Sequence, residues 1–284
     1  MSCLNIAHRG GAGLWPENSL AAFRNAVSLG GDGAELDVQL SRDGEVIVFH
    51  DYRLKTEICR DVGGNWLTRP TPRIKDLTFR ELRSYDIGRA DPTTDYARAH
   101  PDLLPVEGER IPLLSEVIAI AKMSKKPFTL FVELKTSFTE RAVSALPEEL
   151  AEATVAVLKG HDYLRHTVFV GFDWPGLLHV KKIAPGAECW FTTLDQRWFG
   201  EGEPPPESDP PAESALAALR YWAKNGLSPW AGGFDAVNYG GSIFRAIKAA
   251  GGDGWFPTFT DAADAAGAEA RTLGLKVGAW TVDE

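Results

Sequence analysis

Two histidines and a pair of carboxylates lie at the ends of predicted strands near the start of the chain. His8 closes the apolar run 4–7, Glu35 and Asp37 lie two apart in the next apolar run, and His50 closes the run 46–49. Side chains two apart share one face of a strand, so Glu35 and Asp37 should converge. Adjacent carboxylates repel each other without a cation, whereas a hard divalent ion prefers such oxygen ligands. Two imidazoles beside that ion indicate acid–base chemistry on an anionic substrate.

A third carboxylate follows in another apolar run. The same period of two places Glu133 and Lys135 on one face of a strand predicted over 128–135. An inward Glu and Lys are costly without partners. Two interpretations stay open: Glu133 is a third metal ligand with Lys135 as a phosphate contact, or the two form a buried ion pair that ties strands together.

Composition excludes several classes of protein. The 284 residues carry a formal net charge of −9, which disfavours nucleic acid as a partner because such proteins normally show a basic footprint. The three cysteines are too scattered for a disulfide framework or a structural zinc site. No run approaches the roughly 20 apolar residues of a membrane span, so we expect no stable membrane insertion. Because His8 lies so early, we expect no signal peptide and a cytoplasmic protein.

Strand and helix patterns alternate along the chain. Helices are predicted over 20–29, 78–85, 114–123, 148–159, 175–183, 214–224, 242–250 and 261–273. Strands are predicted over 4–8, 33–40, 45–50, 128–135, 167–172, 187–192, 234–238 and 276–282, with 41–44 as a hairpin turn. Repeated strand–helix units predict a parallel sheet covered by helices.

Because polar candidates end several strands, this alternation favours one closed TIM (β/α)8 barrel over residues 1–284 rather than an open sheet. Residues 51–110 form an unusually long irregular segment, which favours a functional or capping insertion after the second strand. Residues 200–211 are acidic and rich in proline, which predicts a surface loop.

Together these residues resemble the glycerophosphodiester phosphodiesterase family. The order and spacing of several short motifs match, from the first strand to the last. They are Ala7-His8-Arg9-Gly10-Gly11, Pro16-Glu17-Asn18-Ser19, Glu35-Leu36-Asp37-Val38, His50-Asp51, Ile111-Pro112-Leu113-Leu114, Val132-Glu133-Leu134-Lys135 and Ala279-Trp280-Thr281-Val282.

The resemblance implies a TIM barrel with a capping insertion over about 51–110. It implies one divalent cation, Mg²⁺ or Ca²⁺, on Glu35, Asp37 and Glu133, with His8 and His50 as general acid and base. Arg9 and Lys135 would hold the phosphate, and Trp280 would line the pocket. The implied reaction is hydrolysis of a glycerophosphodiester to glycerol 3-phosphate and an alcohol.

Two other functions stay in consideration. One is a phospholipase D-type activity on lysophospholipids or sphingolipids, which needs an apolar lip beside the pocket. The other is a non-catalytic binding protein on the same barrel, although no candidate histidine or carboxylate is lost. The chain departs from the family at Gly171, where a serine is frequent, so a polar contact from that position is absent.

The end of the chain conflicts with the predicted barrel. A closed barrel needs eight strands, and the pattern supplies seven once the hairpin arm at 45–50 is set aside. In the family, the Trp-Thr-Val strand is the penultimate one. We therefore expect that a final helix and strand, roughly 25–30 residues, are missing after Glu284.

Overall fold

The computed structural model describes residues 3–194, 222 and 228–282. The chain divides into two compact units, Met1–Phe169 and Val170–Glu284. The predicted proline-rich loop at 200–211 and, apart from Trp222, the predicted helix at 214–224 lie outside the described residues.

The first unit is built on a sheet with helices between its strands. Its strands are β1 (Ile6–Ala7), β2 (Gly33–Leu40), β3 (Val46–Val48) and β4 (Thr129–Leu134), and β5 (Thr167–Gly171) begins at its end. Its helices are α1 (Leu20–Ser28), α2 (Phe79–Leu82), α3 (Asp95–Ala99), α4 (Leu114–Ala121) and α5 (Pro147–Gly160). Both β1 and β4 pair with β2 in parallel, whereas β3 pairs with it antiparallel. The predicted hairpin after β2 is therefore confirmed.

Strand β2 is buried on both faces, which suits a central strand of a parallel sheet. Leu36 and Val38 are fully buried on one face, while the polar side chains alternate on the other. At its start, a Cβ on Gly33 would lie 2.2 Å from the Thr129 carbonyl oxygen, so the close approach of β4 requires glycine there. The pairing sets Asp37 directly opposite Glu133.

The long segment after β3 is folded. The helix predicted at 78–85 is shorter, and α3 was not predicted. Thr78 begins α2 with a reciprocal cap: its hydroxyl accepts from the Glu81 amide, and Glu81 accepts from the Thr78 amide at 2.7 Å. The segment packs its own apolar cluster onto β3, made by Ile47, Phe49, Leu54, Ile58, Cys59, Ile74, Leu82, Ile87 and Ile111. This cluster supplies the burial that orders a segment with little regular structure.

The second unit continues the alternation. It contains α6 (Trp174–Ile183), β6 (Glu188–Thr192), α7 (Ile243–Ala249), β7 (Gly254–Phe256), α8 (Asp264–Thr272) and β8 (Lys276–Val277). Strand β7 pairs in parallel with both β6 and β8. Parallel strands separated by helices are what the sequence predicted for this half of the chain.

One predicted strand is wrong. Residues Ala236–Tyr239, which overlap the predicted strand at 234–238, form a 3₁₀ helix that ends at Gly240 in the left-handed region (φ 68°). The strand between β6 and β8 is β7, which the prediction missed. Apart from β3, the described residues contain seven strands, the number predicted. The last is shorter than the predicted 276–282, although Trp280 still makes a parallel bridge with Thr258.

Among the described residues, no helix combines the length and the apolar character that crossing a membrane would require.

Candidate active site

Three carboxylates converge at one point of the first unit. Glu35 and Asp37 share a face of β2, and Glu133 in β4 lies opposite Asp37. One oxygen from each lies within 4.8 Å of the others. Glu35 and Asp37 are only 6% and 1% exposed. The structure therefore brings together the three predicted ligands.

This cluster carries more negative charge than its surroundings neutralise. Burial, followed by the charges of Asp37 and Glu133, raises the pKa of Glu35 well above its ordinary value. Burial also opposes ionisation of Asp37, but His50, Lys135 and Arg9 together hold its pKa below the ordinary range. Closely spaced oxygens with this imbalance suit a hard divalent cation, whose charge would favour ionisation of all three. The residues present fit such an ion.

Two fixed cations border the carboxylates. The Lys135 ammonium is 2.9 Å from Glu133 Oε1 and 3.7 Å from Asp37 Oδ1. The backbone amide of Arg9 donates to Glu35 at 3.0 Å. The side-chain Nε of Arg9 lies 3.5 Å from Asp37 Oδ2. Burial lowers the pKa of each cation, yet the neighbouring carboxylates raise it more, so both pKa values lie above the ordinary ones. Both side chains therefore stay charged. The Glu133–Lys135 ion pair considered as an alternative exists, and Lys135 also reaches Asp37.

The two histidines differ in their surroundings. His8 directly follows β1, and its Nε2 lies 4.0 Å from Glu35. Burial and the charge of Arg9 lower the pKa of His8 to about 4. His50 follows β3, and its Nδ1 lies 2.6 Å from the Asp51 carboxylate. Burial opposes ionisation of Asp51, but His50 lowers the pKa of that carboxyl below its ordinary value. The structure thus pairs a neutral imidazole near the cluster with one that carries its own carboxylate partner.

The loop after His8 holds an unusual backbone. Arg9 and Asn18 both adopt the left-handed region, with φ of 47° and 56°. Such conformations cost free energy in non-glycine residues and concentrate at functional sites. The Asn18 side chain donates to Asp37 at 2.8 Å, so it orients a candidate ligand. The cap of α1 is the next residue, Ser19, whose hydroxyl accepts from the Ala22 amide.

Sequence reasoning missed two residues of the segment at 51–110. Tyr96 donates to the buried Glu17 carboxylate at 2.8 Å, and the Lys55 ammonium lies 3.7 Å from the same carboxylate. Glu17 also accepts from Arg9 Nη1 at 3.1 Å. No periodicity links Tyr96 to Glu17, since they lie 79 residues apart in sequence, Tyr96 in the short helix α3 and Glu17 before α1.

Trp280 and Gly171 lie in the second unit. The Trp280 indole donates to the Phe256 carbonyl at 3.0 Å, and its ring meets Phe172 edge-on at 5.3 Å between centroids. The amide of Gly171 donates to the Thr192 hydroxyl at 3.0 Å. These contacts stay within the second unit, and the pocket role of Trp280 stays a prediction.

Comparison with known proteins gives the family context of this geometry. Residues 8–201 match the sequence model of the Glycerophosphoryl diester phosphodiesterase family. A glycerophosphodiester phosphodiesterase of Caldanaerobacter subterraneus is 32% identical over 65% of this chain and 64% of its own length, so the chain spans less than two thirds of that relative. A lysophospholipase D of Homo sapiens is 36% identical over 67% of this chain and 56% of its own length.

Solved structures share the fold. The crystal structure of a protein from Silicibacter pomeroyi DSS-3 matches this chain with a TM-score of 0.78 and 26% sequence identity. The match covers 100% of this chain and 85% of that protein's chain. A phosphodiesterase of Oleispira antarctica, solved with the product sn-glycerol-3-phosphate, has a TM-score of 0.62 and 22% identity, over 98% of this chain and 84% of that one. The likeness confirms the predicted α/β class of the TIM-barrel type.

Proposed function

The chain belongs to the glycerophosphoryl diester phosphodiesterase family, and from that premise we propose that it hydrolyses glycerophosphodiesters to glycerol 3-phosphate and an alcohol. One observation carries the proposal. His8 and His50 border a cluster of three carboxylates that is flanked by the fixed cations Arg9 and Lys135. A phosphodiester is an anion that resists attack, so its hydrolysis needs this combination of positive charge and proton transfer.

We assign the metal site to Glu35, Asp37 and Glu133, whose oxygens converge within 4.8 Å. When bound, a divalent ion there would neutralise negative charge on the phosphodiester. The all-oxygen donor set favours Mg²⁺ or Ca²⁺ over zinc, which prefers sites that include nitrogen or sulfur.

The surroundings of the histidines suggest distinct roles. Because its pKa is lowered to about 4, His8 is neutral at pH 7 and can accept a proton from the attacking group, which is either water or the glycerol 2-hydroxyl, the latter giving a cyclic phosphate that water then opens. His50 Nδ1 lies 2.6 Å from the Asp51 carboxylate, which orients the imidazole ring. We therefore assign His8 as the base and His50 as the acid that protonates the departing alkoxide.

Arg9 and Lys135 would hold the non-bridging phosphate oxygens. Both keep their charge because carboxylates surround them. A guanidinium can offer two parallel N–H donors to a phosphate, whereas an ammonium acts as a point charge. Trp280 would form an apolar wall of the pocket, as the family resemblance implies.

A second substrate class is favoured by one comparison. The human relative named lysophospholipase D is 36% identical, so the same chemistry on a lysophospholipid is our alternative. In that reaction the leaving alcohol is the head group, and the product keeps the acyl chain.

The test follows the phosphorus-containing products from glycerophosphocholine and from lysophosphatidylcholine by phosphorus NMR, and the released choline by proton NMR. The proposal expects glycerol 3-phosphate and choline in equal amounts from the first, with little turnover of the second. Preferred turnover of lysophosphatidylcholine supports the alternative. Binding of glycerophosphocholine without any product supports a non-catalytic protein and contradicts the proposal.

A further inference from the structure

We propose that Glu17 is a positioning residue for Arg9, and that Tyr96 and Lys55 of the segment at 51–110 hold Glu17 in the orientation that presents Arg9 to a phosphate. The inference rests on the proposed function, since it treats Arg9 as a phosphate contact. It assigns a role to contacts that lie outside the carboxylate cluster.

Glu17 is a buried carboxylate that contacts three side chains. It is 5% exposed. Its Oε1 accepts from Arg9 Nη1 at 3.1 Å and lies 3.7 Å from the Lys55 ammonium. Its Oε2 accepts from the Tyr96 hydroxyl at 2.8 Å. The two oxygens therefore connect Arg9 to two residues from a different part of the chain.

The Arg9 guanidinium lies near two carboxylates, Glu17 and Asp37, and we infer that the hydrogen bond to Glu17 sets its orientation. Its Nε is buried and makes no hydrogen bond with any described residue, although Asp37 lies 3.5 Å away. Nη1 is the guanidinium nitrogen that is hydrogen-bonded, and its acceptor is Glu17. Without that acceptor, attraction would draw the guanidinium toward Asp37 and turn its free donors away from a bound phosphate.

The segment at 51–110 holds Glu17 through a rigid tyrosine. Tyr96 lies in α3, which begins after Thr94, and the Thr94 hydroxyl accepts from the Ala97 amide. The Tyr96 ring stacks on His100 with centroids 4.2 Å apart, and the Lys55 ammonium lies 4.2 Å from the centroid of the Tyr96 ring. These contacts fix the hydroxyl that donates to Glu17. The link therefore transmits the position of the segment to Arg9.

The hydrogen bond from Tyr96 to Glu17 could serve stability alone or could also position Arg9, and the two roles predict different effects on phosphate binding. Either role predicts that loss of the Tyr96 hydroxyl lowers stability, because a buried hydrogen bond is lost. Only positioning predicts weaker phosphate binding. The chain offers a matched control in Tyr163, whose buried hydroxyl donates to the Phe128 carbonyl at 2.6 Å, away from Glu17 and Arg9.

The experiment measures binding of inorganic phosphate to the Mg²⁺-loaded protein by calorimetry, together with kcat and KM for glycerophosphocholine. Since loss of one hydrogen-bonding partner costs about 0.5–1.5 kcal/mol, we expect Tyr96→Phe to weaken phosphate binding about threefold and Glu17→Gln about tenfold. KM should rise in parallel, with kcat within about twofold of wild type. Tyr163→Phe should leave all three values unchanged.

Phosphate affinity equal to wild type in folded Tyr96→Phe or Glu17→Gln protein would overturn the proposal, as would the absence of phosphate binding to the wild type. If Glu17→Gln does not fold, Tyr96→Phe decides alone. If the wild type binds phosphate but does not hydrolyse glycerophosphocholine, the proposed function fails, and the phosphate affinities still judge the positioning role.

Discussion

At the scale of single residues, two chemically identical imidazoles have different environments. His8 lies among buried groups near Arg9, which lowers its pKa, whereas the Nδ1 of His50 lies 2.6 Å from Asp51, which orients its ring. Acid–base hydrolysis needs one group that accepts a proton from the nucleophile and another that donates a proton to the leaving group, so such a difference is useful.

Replacing either histidine should remove most of the turnover while the fold persists. Because acid–base groups contribute about 10²–10⁴-fold each, His8→Ala and His50→Ala should lower kcat by that range. The control is His161→Ala, at the exposed end of α5. Near-normal turnover in a histidine variant would remove that residue from the mechanism.

The assignment of base and acid has its own test. A 4-nitrophenyl phosphodiester releases an alcohol that needs little protonation, so loss of the acid matters less than loss of the base. With this substrate we expect His50→Ala to recover most of its lost rate and His8→Ala to stay impaired. Recovery of His8→Ala alone would reverse the assignment.

At the scale of elements, the turn after β1 depends on a glycine. Gly10 has φ +78°, and a Cβ there would lie 2.9 Å from the Ala22 Cβ in α1 and 3.1 Å from Phe23. The close approach of α1 therefore sets the position of the loop that carries His8 and Arg9.

Gly10→Ala should destabilise the protein by about 2–4 kcal/mol, because left-handed strain and overpacking add. Its activity should also fall, since any relief of the clash moves Arg9. Gly13→Ala is the matched control, because a Cβ on Gly13 would meet no atom within 4 Å and the residue has no positive φ. Urea unfolding measures both variants, and equal stabilities would contradict this account of the turn.

A hydrogen bond between the residues that precede β5 and β4 predicts that the stability of the fold depends on pH. Tyr163, before β5, donates to the Phe128 carbonyl, before β4, and burial raises the pKa of Tyr163 to about 12. In the unfolded chain this pKa is about 10. Between these values the unfolded chain loses the proton first, so stability falls as pH rises from about 10 to about 12.

The free energy of unfolding of wild type, measured at pH 9 and at pH 11, should therefore fall more steeply than that of Tyr163→Phe. At pH 9 the variant should be less stable by about 1 kcal/mol, because it lacks one buried hydrogen bond. Parallel losses in the two proteins would show that Tyr163 does not titrate in this way.

The sequence predicted elements best where an apolar pattern was long. Strands β2 and β4 and helices α4 and α5 were predicted to within a few residues, and the period of two predicted that Glu35 and Asp37 share a face. Two short runs misled the prediction: 234–238 was predicted as a strand but is flanked by Gly232 and Gly240 in left-handed conformations, and the three residues of β7 are too few to show a period. The contacts of Tyr96 and Lys55 with Glu17 depend on tertiary packing that no local pattern encodes.

At the scale of the whole molecule, the net charge of −9 does not describe the charges that border the proposed site. Arg9 and Lys135 are held charged beside the carboxylate cluster, and a divalent cation there would add two further positive charges. Under the proposed function, an anionic substrate would therefore meet cationic groups on a protein of negative net charge. The match to the family covers residues 8–201, which include every proposed site residue except Trp280.

The most direct test of the account is the dependence of glycerophosphocholine hydrolysis on a divalent ion. We predict that exhaustive chelation with EDTA abolishes release of glycerol 3-phosphate, that Mg²⁺ or Ca²⁺ restores it, and that Asp37→Asn weakens calorimetric binding of that ion while the exposed control Asp162→Asn does not. Full turnover after chelation, or ion binding unchanged in Asp37→Asn, would contradict the central claim that Glu35, Asp37 and Glu133 form a catalytic metal site.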